Sequence, residues 1–353
     1  MELLDYLRRA VKDQASDLFL VAGGPVCEKL DNRLVPMSEG RVFPRETEEL
    51  IMELYALAGR EPAPYLQRGD DDFSLSVPEL ARFRVNAYRQ RGSLAAVVRI
   101  VSFEIPDWRA CGIPEQVMAL SDMLHGMVLV TGTAGSGKST TQACVIDQIN
   151  RNRECHIITL EDPIEYLHRD VRSIVSQREI AIDTENYLSA LRACLRQAPD
   201  VILLGEMRDA ETIHTAMTAA ETGHLLIATL HTRGAVNTID RIIDSFPAGQ
   251  QEQIRAQLSM VLDTVVSQQL LPGKDEKLVP AFEIMRMNSA IRGLIRDNKT
   301  HQINNAIAAG AREGMMTMDQ SILALYREGK ISAETAVSFA SNADQMKRWM
   351  TSG

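Results

Sequence analysis

Residues 132–139 read GTAGSGKS, the spacing G-x-x-x-x-G-K-[ST] of a phosphate cradle. Each residue type in it has a task. Gly132, Gly135 and Gly137 allow tight backbone turns that aim successive N–H groups at phosphate oxygens. The helix expected to follow adds its positive dipole end. Lys138 supplies a point charge for the β- and γ-phosphates. Ser139 offers a hydroxyl to Mg²⁺, a hard cation that prefers oxygen. The expected nucleotide-binding set is Gly132, Ala134, Gly135, Ser136, Gly137, Lys138, Ser139 and Thr140, with ATP and Mg²⁺ as its ligands.

Phosphate chemistry also needs carboxylates, one to orient or deprotonate water and another to hold the metal shell. In DVILLGEMRD, residues 200–209, an apolar run meets Glu206. Gly205 stands where ATPases usually carry a magnesium-binding aspartate. Glu206, which also reaches the metal through water, and Glu165 of a second strand end are expected to share the metal-shell and water-activating duties, with the proton going to either of the two. The stretch HIITLEDPIEYLH ends with Glu161, Asp162 and Glu165, the natural supplementary acids. His224 and His231 flank the strand LLIATL at opposite ends. His231, at the C-terminal end, is the better candidate for sensing the γ-phosphate. Upstream, alternation puts Arg82 and Arg84 on one strand face, with Arg99 on a later strand. A solvated sheet face and a set of arginine fingers reaching a neighbouring subunit both fit that pattern.

These residues need a scaffold. Residues 1–13 have helical spacing; 18–21, 26–30, 72–77, 82–88 and 94–101 read as strands, with a turn at Asp31-Asn32 and a helix over 45–58. Residues 1–101 thus form a small α+β domain, and 102–114, broken by Pro106, Gly112 and Pro114, a linker. From 115 to 353 the rhythm changes. Strands 127–131, 156–160, 201–204 and 225–230 alternate with helices 138–150, 185–196 and 209–221, which implies a parallel sheet with right-handed crossovers. A helix at 247–262, two strands up to 285 and a helical region from about 288 to 353 complete the chain.

The 353 residues carry a net charge of −9 with 45% hydrophobic content, ordinary for globular protein and without the basic field of a dedicated nucleic-acid binder. The five cysteines form no CxxC pair and read as reduced thiols. No apolar run approaches the roughly 20 residues that span a bilayer.

Together these segments resemble the PilT-type type IV pilus retraction ATPases of the secretion ATPase superfamily, nearly end to end. SDLFLVAG, RFRVNAY, TGTAGSGKSTT, ITLEDPIE, DVILLGEMRD and AETGHLLIATLHT follow that family's order of motifs, with Phe19, Thr133 and Ala134 departing from its usual residues. AIRGLIRDNKTHQI, with Gly293 for asparagine, is similar to its late segment associated with retraction. Gly205-Glu206 is normal for the family. The resemblance implies an α/β protein: a PAS-like N-terminal α+β domain, then a RecA-like P-loop domain with a parallel-rich sheet and a helical C-terminal tail. It further implies a homohexameric motor with ATP between subunits, Arg84 and Arg99 acting in trans, and catalytic roles for Glu165, Glu206, His231 and His224. Its partners would be a PilC-like inner-membrane platform protein and paralogous pilus ATPases, at the cytoplasmic face of that membrane and without nucleic acid. The apolar face of AIRGLIR, with Ile291, Leu294 and Ile295, fits docking or core packing. A four-cysteine zinc insertion, common in extension and secretion motors, is lacking. Another secretion-superfamily motor serving pilus assembly or secretion, a retraction-assisting paralogue, a nucleic-acid motor and an inactive nucleotide-binding scaffold are the rival readings.

Overall fold

The computed structural model describes residues 2–30, 33–101, 104–275 and 277–351. The Asp31-Asn32 turn and the first two residues of the expected linker lie outside them. The chain divides into two compact units: Met1–Glu104 with Ile164–Leu167, and Ile105–Pro163 with His168–Gly353.

The first unit holds β1 (Asp17–Leu20), β2 (Cys27–Leu30), β3 (Arg33–Pro36), β4 (Asp70–Val77), β5 (Ala81–Gln90) and β6 (Ser93–Val101). They pair antiparallel in the order β3-β2-β1-β6-β5-β4. Alternation decides the faces. On β5, Phe83, Val85 and Ala87 are fully buried, while Arg82 and Arg84 fall on the opposite face. Helices Leu3–Lys12 and Pro44–Leu57 bury Leu7, Ile51 and Leu54 in the same core. The short helix Ala63–Arg68, which the sequence reading did not include, sets Tyr65 against Tyr55 with ring centroids 5.5 Å apart.

The second unit carries β7 (Gly126–Thr131), β8 (His156–Glu161), β9 (Ile174–Glu179), β10 (Val201–Leu204), β11 (Leu225–Leu230), β12 (Leu262–Pro272) and β13 (Leu278–Arg286). Their order is β13-β12-β7-β11-β10-β8-β9. All neighbours are parallel except β13, which runs antiparallel to β12. Period 2 splits the strand residues between two cores. Met127, Leu129, Ile158, Ile202 and Leu204 face one; Val128, Val130, Ile157, Val201 and Leu203 face the other. Burial on both sides is why these strands read as continuous apolar runs.

Further elements of the second unit were not anticipated either. β9 is an edge strand, IVSQRE, too polar to stand out. Helix Ala235–Asp244 buries Ile239, Ile242 and Ile243 at ordinary helical spacing, so its signal was present in the sequence. Residues of the expected linker pack within the second unit: Ile113 is buried, and Trp108 and Cys111 lie against its core.

The C-terminal region consists of short helices, Ser289–Arg296, Ile303–Ala309, Met318–Arg327, Ala333–Phe339 and Ala343–Thr351. The docking reading of AIRGLIR is corrected here. Ile291 and Ile295 are fully buried in the larger core, and Leu294 packs against it. That apolar face is already covered by the protein itself.

All five cysteines are free. Burial pushes the Cys144 thiol up to about 12 and Cys194 up to about 11, which keeps both unreactive. Among the described residues no helix is long and apolar enough to cross a membrane.

Candidate nucleotide-binding site

The cradle joins the end of β7, at the middle of the sheet, to helix Lys138–Asn152. Its glycines are required. Gly132, Gly135 and Gly137 have φ of 144°, 73° and 87°, a region that side chains disfavour. A Cβ on Gly132 would lie 2.4 Å from the Gln268 carbonyl oxygen, and one on Gly137 2.7 Å from Gln268 Nε2. Gln268, on β12, is buried and accepts a hydrogen bond from Thr141 Oγ1 at 2.7 Å. Beside it, Ser267 Oγ meets Thr131 Oγ1 at 2.6 Å. β12 thus braces the cradle from behind, a role the sequence reading missed because only three-dimensional pairing brings together residues 127 and 136 apart.

The cradle's polar groups suit an anion. Lys138 Nζ donates to the carbonyls of Gly132 and Thr133 at 3.0 and 2.9 Å, so its charge is held at the loop. Ser136 Oγ is buried without a hydrogen-bond partner. Lys138, Ser139 and Thr140 occupy the first turn of the helix, where backbone N–H groups have no intrahelical acceptor. An oxyanion answers each of these groups.

The next two strands bring Glu206 and His231 alongside. β11 lies between β7 and β10, with Leu230 paired to Thr131, so His231 follows its strand where the cradle begins. Glu206 follows β10. It is 7% exposed. One oxygen pairs with Arg208 Nη2 at 2.5 Å, and the other lies 3.4 Å from His231 Nε2. The latter contact is not a hydrogen bond, and Glu206 Oε2 remains a buried acceptor without one. Arg208 was not among the expected site residues.

Gly205 leaves no space for a carboxylate. A Cβ there would meet Tyr187 Oη at 2.7 Å and the Leu160 carbonyl oxygen at 3.0 Å. Burial, then the charge of Glu206 and of Asp162, push the Tyr187 phenol well above its usual range, so it stays protonated. Thr229 Oγ1 donates to the Gly205 carbonyl, and the Met207 N–H to the Thr229 carbonyl at 3.2 Å. These bonds tie the ends of β10 and β11 together.

Of the remaining expected residues, Glu161 and Asp162 adjoin Gly205 and Tyr187. Glu161 accepts from Thr159 Oγ1 at 2.6 Å and Gln177 Nε2 at 3.2 Å. Asp162 and Glu165 are exposed, and Glu165 falls in the segment Ile164–Leu167, which counts with the first unit. His224 precedes β11, at the opposite end from the cradle; six residues at about 3.3 Å each separate the two ends by about 20 Å. There its Nδ1–H donates to the Ala219 carbonyl at 2.9 Å, which closes helix Ala210–Glu221 onto β11. Within this chain its ring thus ties that helix to the strand at the end away from the cradle. Arg84 and Arg99 stand directly opposite each other on β5 and β6. Like charges so placed repel, and each is balanced by its own carboxylate: Asp72 at 3.3 Å and Asp17 at 3.0 Å.

A parallel sheet with a glycine cradle after its central strand, and a buried acid after the next strand but one, defines a P-loop nucleotide-binding protein. The chain belongs to the Type II/IV secretion system protein family, which matches residues 4–350. It is 41% identical over 336 residues to the type IV pilus retraction ATPase PilT of Pseudomonas aeruginosa, covering 95% of this chain and 97% of that one. A twitching motility protein of Neisseria gonorrhoeae is 47% identical over 283 residues, 80% of this chain and 76% of its own. The crystal structure of the pilus retraction motor PilT with bound ADP superposes with a TM-score of 0.89 at 42% identity, covering 99% of both chains.

Proposed function

We propose that the chain is an ATP-hydrolysing motor that powers retraction of type IV pili. One observation carries the hydrolytic part: the buried Glu206, with a free carboxylate oxygen, stands with His231 at the strand ends beside the cradle. The pilus part rests on similarity, over most of the chain, to proteins named for retraction and twitching.

In this reading Lys138 exchanges its loop carbonyls for the β- and γ-phosphates. Glu206 Oε2 orients the attacking water and takes its proton, with Glu165 as a second acid. His231, close to Glu206, senses the γ-phosphate. Ser139 and, through water, Glu206 would hold Mg²⁺, which neutralises phosphate charge. The described residues include no cluster of three or more His, Cys, Asp or Glu able to cage a metal. Arg84 and Arg99 reach the phosphates of a neighbouring subunit in a hexameric ring. The ring works on an inner-membrane platform protein from the cytoplasmic face.

The test is turnover of the purified protein with Mg²⁺ and ATP. Lys138→Ala should lose both nucleotide binding and hydrolysis. Glu206→Gln should still bind ATP while its kcat falls by about 10²–10⁴-fold. A Glu206→Gln protein with normal turnover would move the chemistry elsewhere.

A further inference from the structure

Glu283 lies on β13, 7% exposed. Its Oε1 accepts the Ala235 N–H at 2.7 Å, and its Oε2 the Met318 N–H at 3.4 Å. Each donor is the first residue of a ten-residue helix, Ala235–Asp244 and Met318–Arg327. Such N–H groups have no acceptor in their own helix, and the helix end favours an anion. One carboxylate thus serves two helix starts that are distant in sequence. The first helix begins four residues after His231. The second belongs to the C-terminal region.

We propose that Glu283 is a positioning residue that couples the turn after His231 to the C-terminal helices, so that a change at the cradle moves both. Residues on either side carry the connection further. A Cβ on Gly234 would stand 3.4 Å from Glu283 Oε1, so the turn is held closely against the carboxylate. Asp319, next to Met318, accepts the N–H groups of Ser341 and Asn342 at 2.6 and 3.1 Å. A cavity of about 510 Å³ is lined by Thr133 of the cradle, Arg233, Asn237, Gln269, Glu283 and Ser341. Cradle, turn and C-terminal loop therefore share one space. Glu283 has no ion pair among the described residues. Burial raises its carboxyl, the two backbone donors lower it, and Asp319 raises it, with the net direction upward. Apolar packing would fill such a position at less cost in desolvation. What the carboxylate adds is a fixed distance between two helix starts.

The inference rests on the nucleotide-site reading, and the test separates the two. Hydrogen exchange is measured on the assembled protein with and without Mg²⁺ and ATPγS, alongside binding of a fluorescent ADP. In the wild type, nucleotide should alter exchange at residues 235–238 and at 341–342 together. Glu283→Gln replaces one of the two acceptor oxygens by a donor. It should keep the response at 235–238, lose that at 341–342, and lower kcat about tenfold with KM within about twofold. Asp319→Asn, which leaves Glu283 in place, should lose the 341–342 response alone. A wild-type response confined to 235–238 overturns the coupling, even if the Glu283→Gln protein fails to fold. So does a folded Glu283→Gln protein that is merely less stable, with kcat and both responses intact. Failure to bind fluorescent ADP at all overturns the nucleotide reading, and this inference with it.

Discussion

At Gly205 the space a side chain would need is already taken by a tyrosine hydroxyl and a backbone carbonyl. An aspartate at that position would collide with both, so in the proposed function the metal and water chemistry falls to other residues. Ser139 and Glu206 are the residues at hand. The collision gives a measurable consequence. Gly205→Ala should cost about 1–3 kcal/mol of stability through overpacking. Tyr187→Phe in the same chain should recover part of that loss, because the two sites touch. Denaturant midpoints of the two single variants and the double decide it; strict additivity would mean that the hydroxyl is not the obstacle. The cradle itself was legible from eight residues, since the motif encodes both its geometry and its charge. Arg208 and Gln268 were not legible. An arginine after a strand and a glutamine in an apolar run have no distinctive spacing, and their meaning comes from what they touch.

Among the elements, the strands of the second unit could be read almost residue by residue, because burial on both faces makes them uninterrupted apolar runs. Where polarity and edge position weaken that pattern, as in β9, the strand was invisible. AIRGLIR shows the converse. Its apolar face was plain in the sequence, but periodicity reports burial without naming the partner, and the partner is the protein's own core. His168, two residues before the chain reaches Asp170 and near the start of β9, adds a pH dependence. Its Nδ1 is buried without a hydrogen bond, and burial draws its pKa from 6.5 down to about 4. The unfolded chain therefore binds the extra proton first. Stability contributed by neutral His168 is complete above pH 6.5 and falls as pH drops towards about 4, by at most about 3 kcal/mol. Thermal unfolding between pH 7 and pH 4.5 should show the loss, and His168→Gln should flatten it. An unchanged slope in the variant would assign the acid sensitivity to other groups.

For the molecule as a whole, the proposed roles divide between the two units. The second bears the cradle, Glu206 and His231; the first bears Arg84 and Arg99, balanced on an exposed sheet face. If those arginines act on a neighbour's phosphates, inactive subunits should rescue one another. Mixing Arg99→Ala with Lys138→Ala subunits should restore part of the turnover that neither possesses alone, since some mixed interfaces then contain both an intact cradle and an intact arginine. No recovery at any ratio would contradict action in trans. The central claim reaches beyond hydrolysis to pulling, and imaging of labelled pili on living cells tests it most directly. In the organism that encodes this chain, replacing the wild-type protein by Glu206→Gln should leave pili present, extended and static. Loss of pili altogether, or pili that retract at the normal rate, would contradict the account.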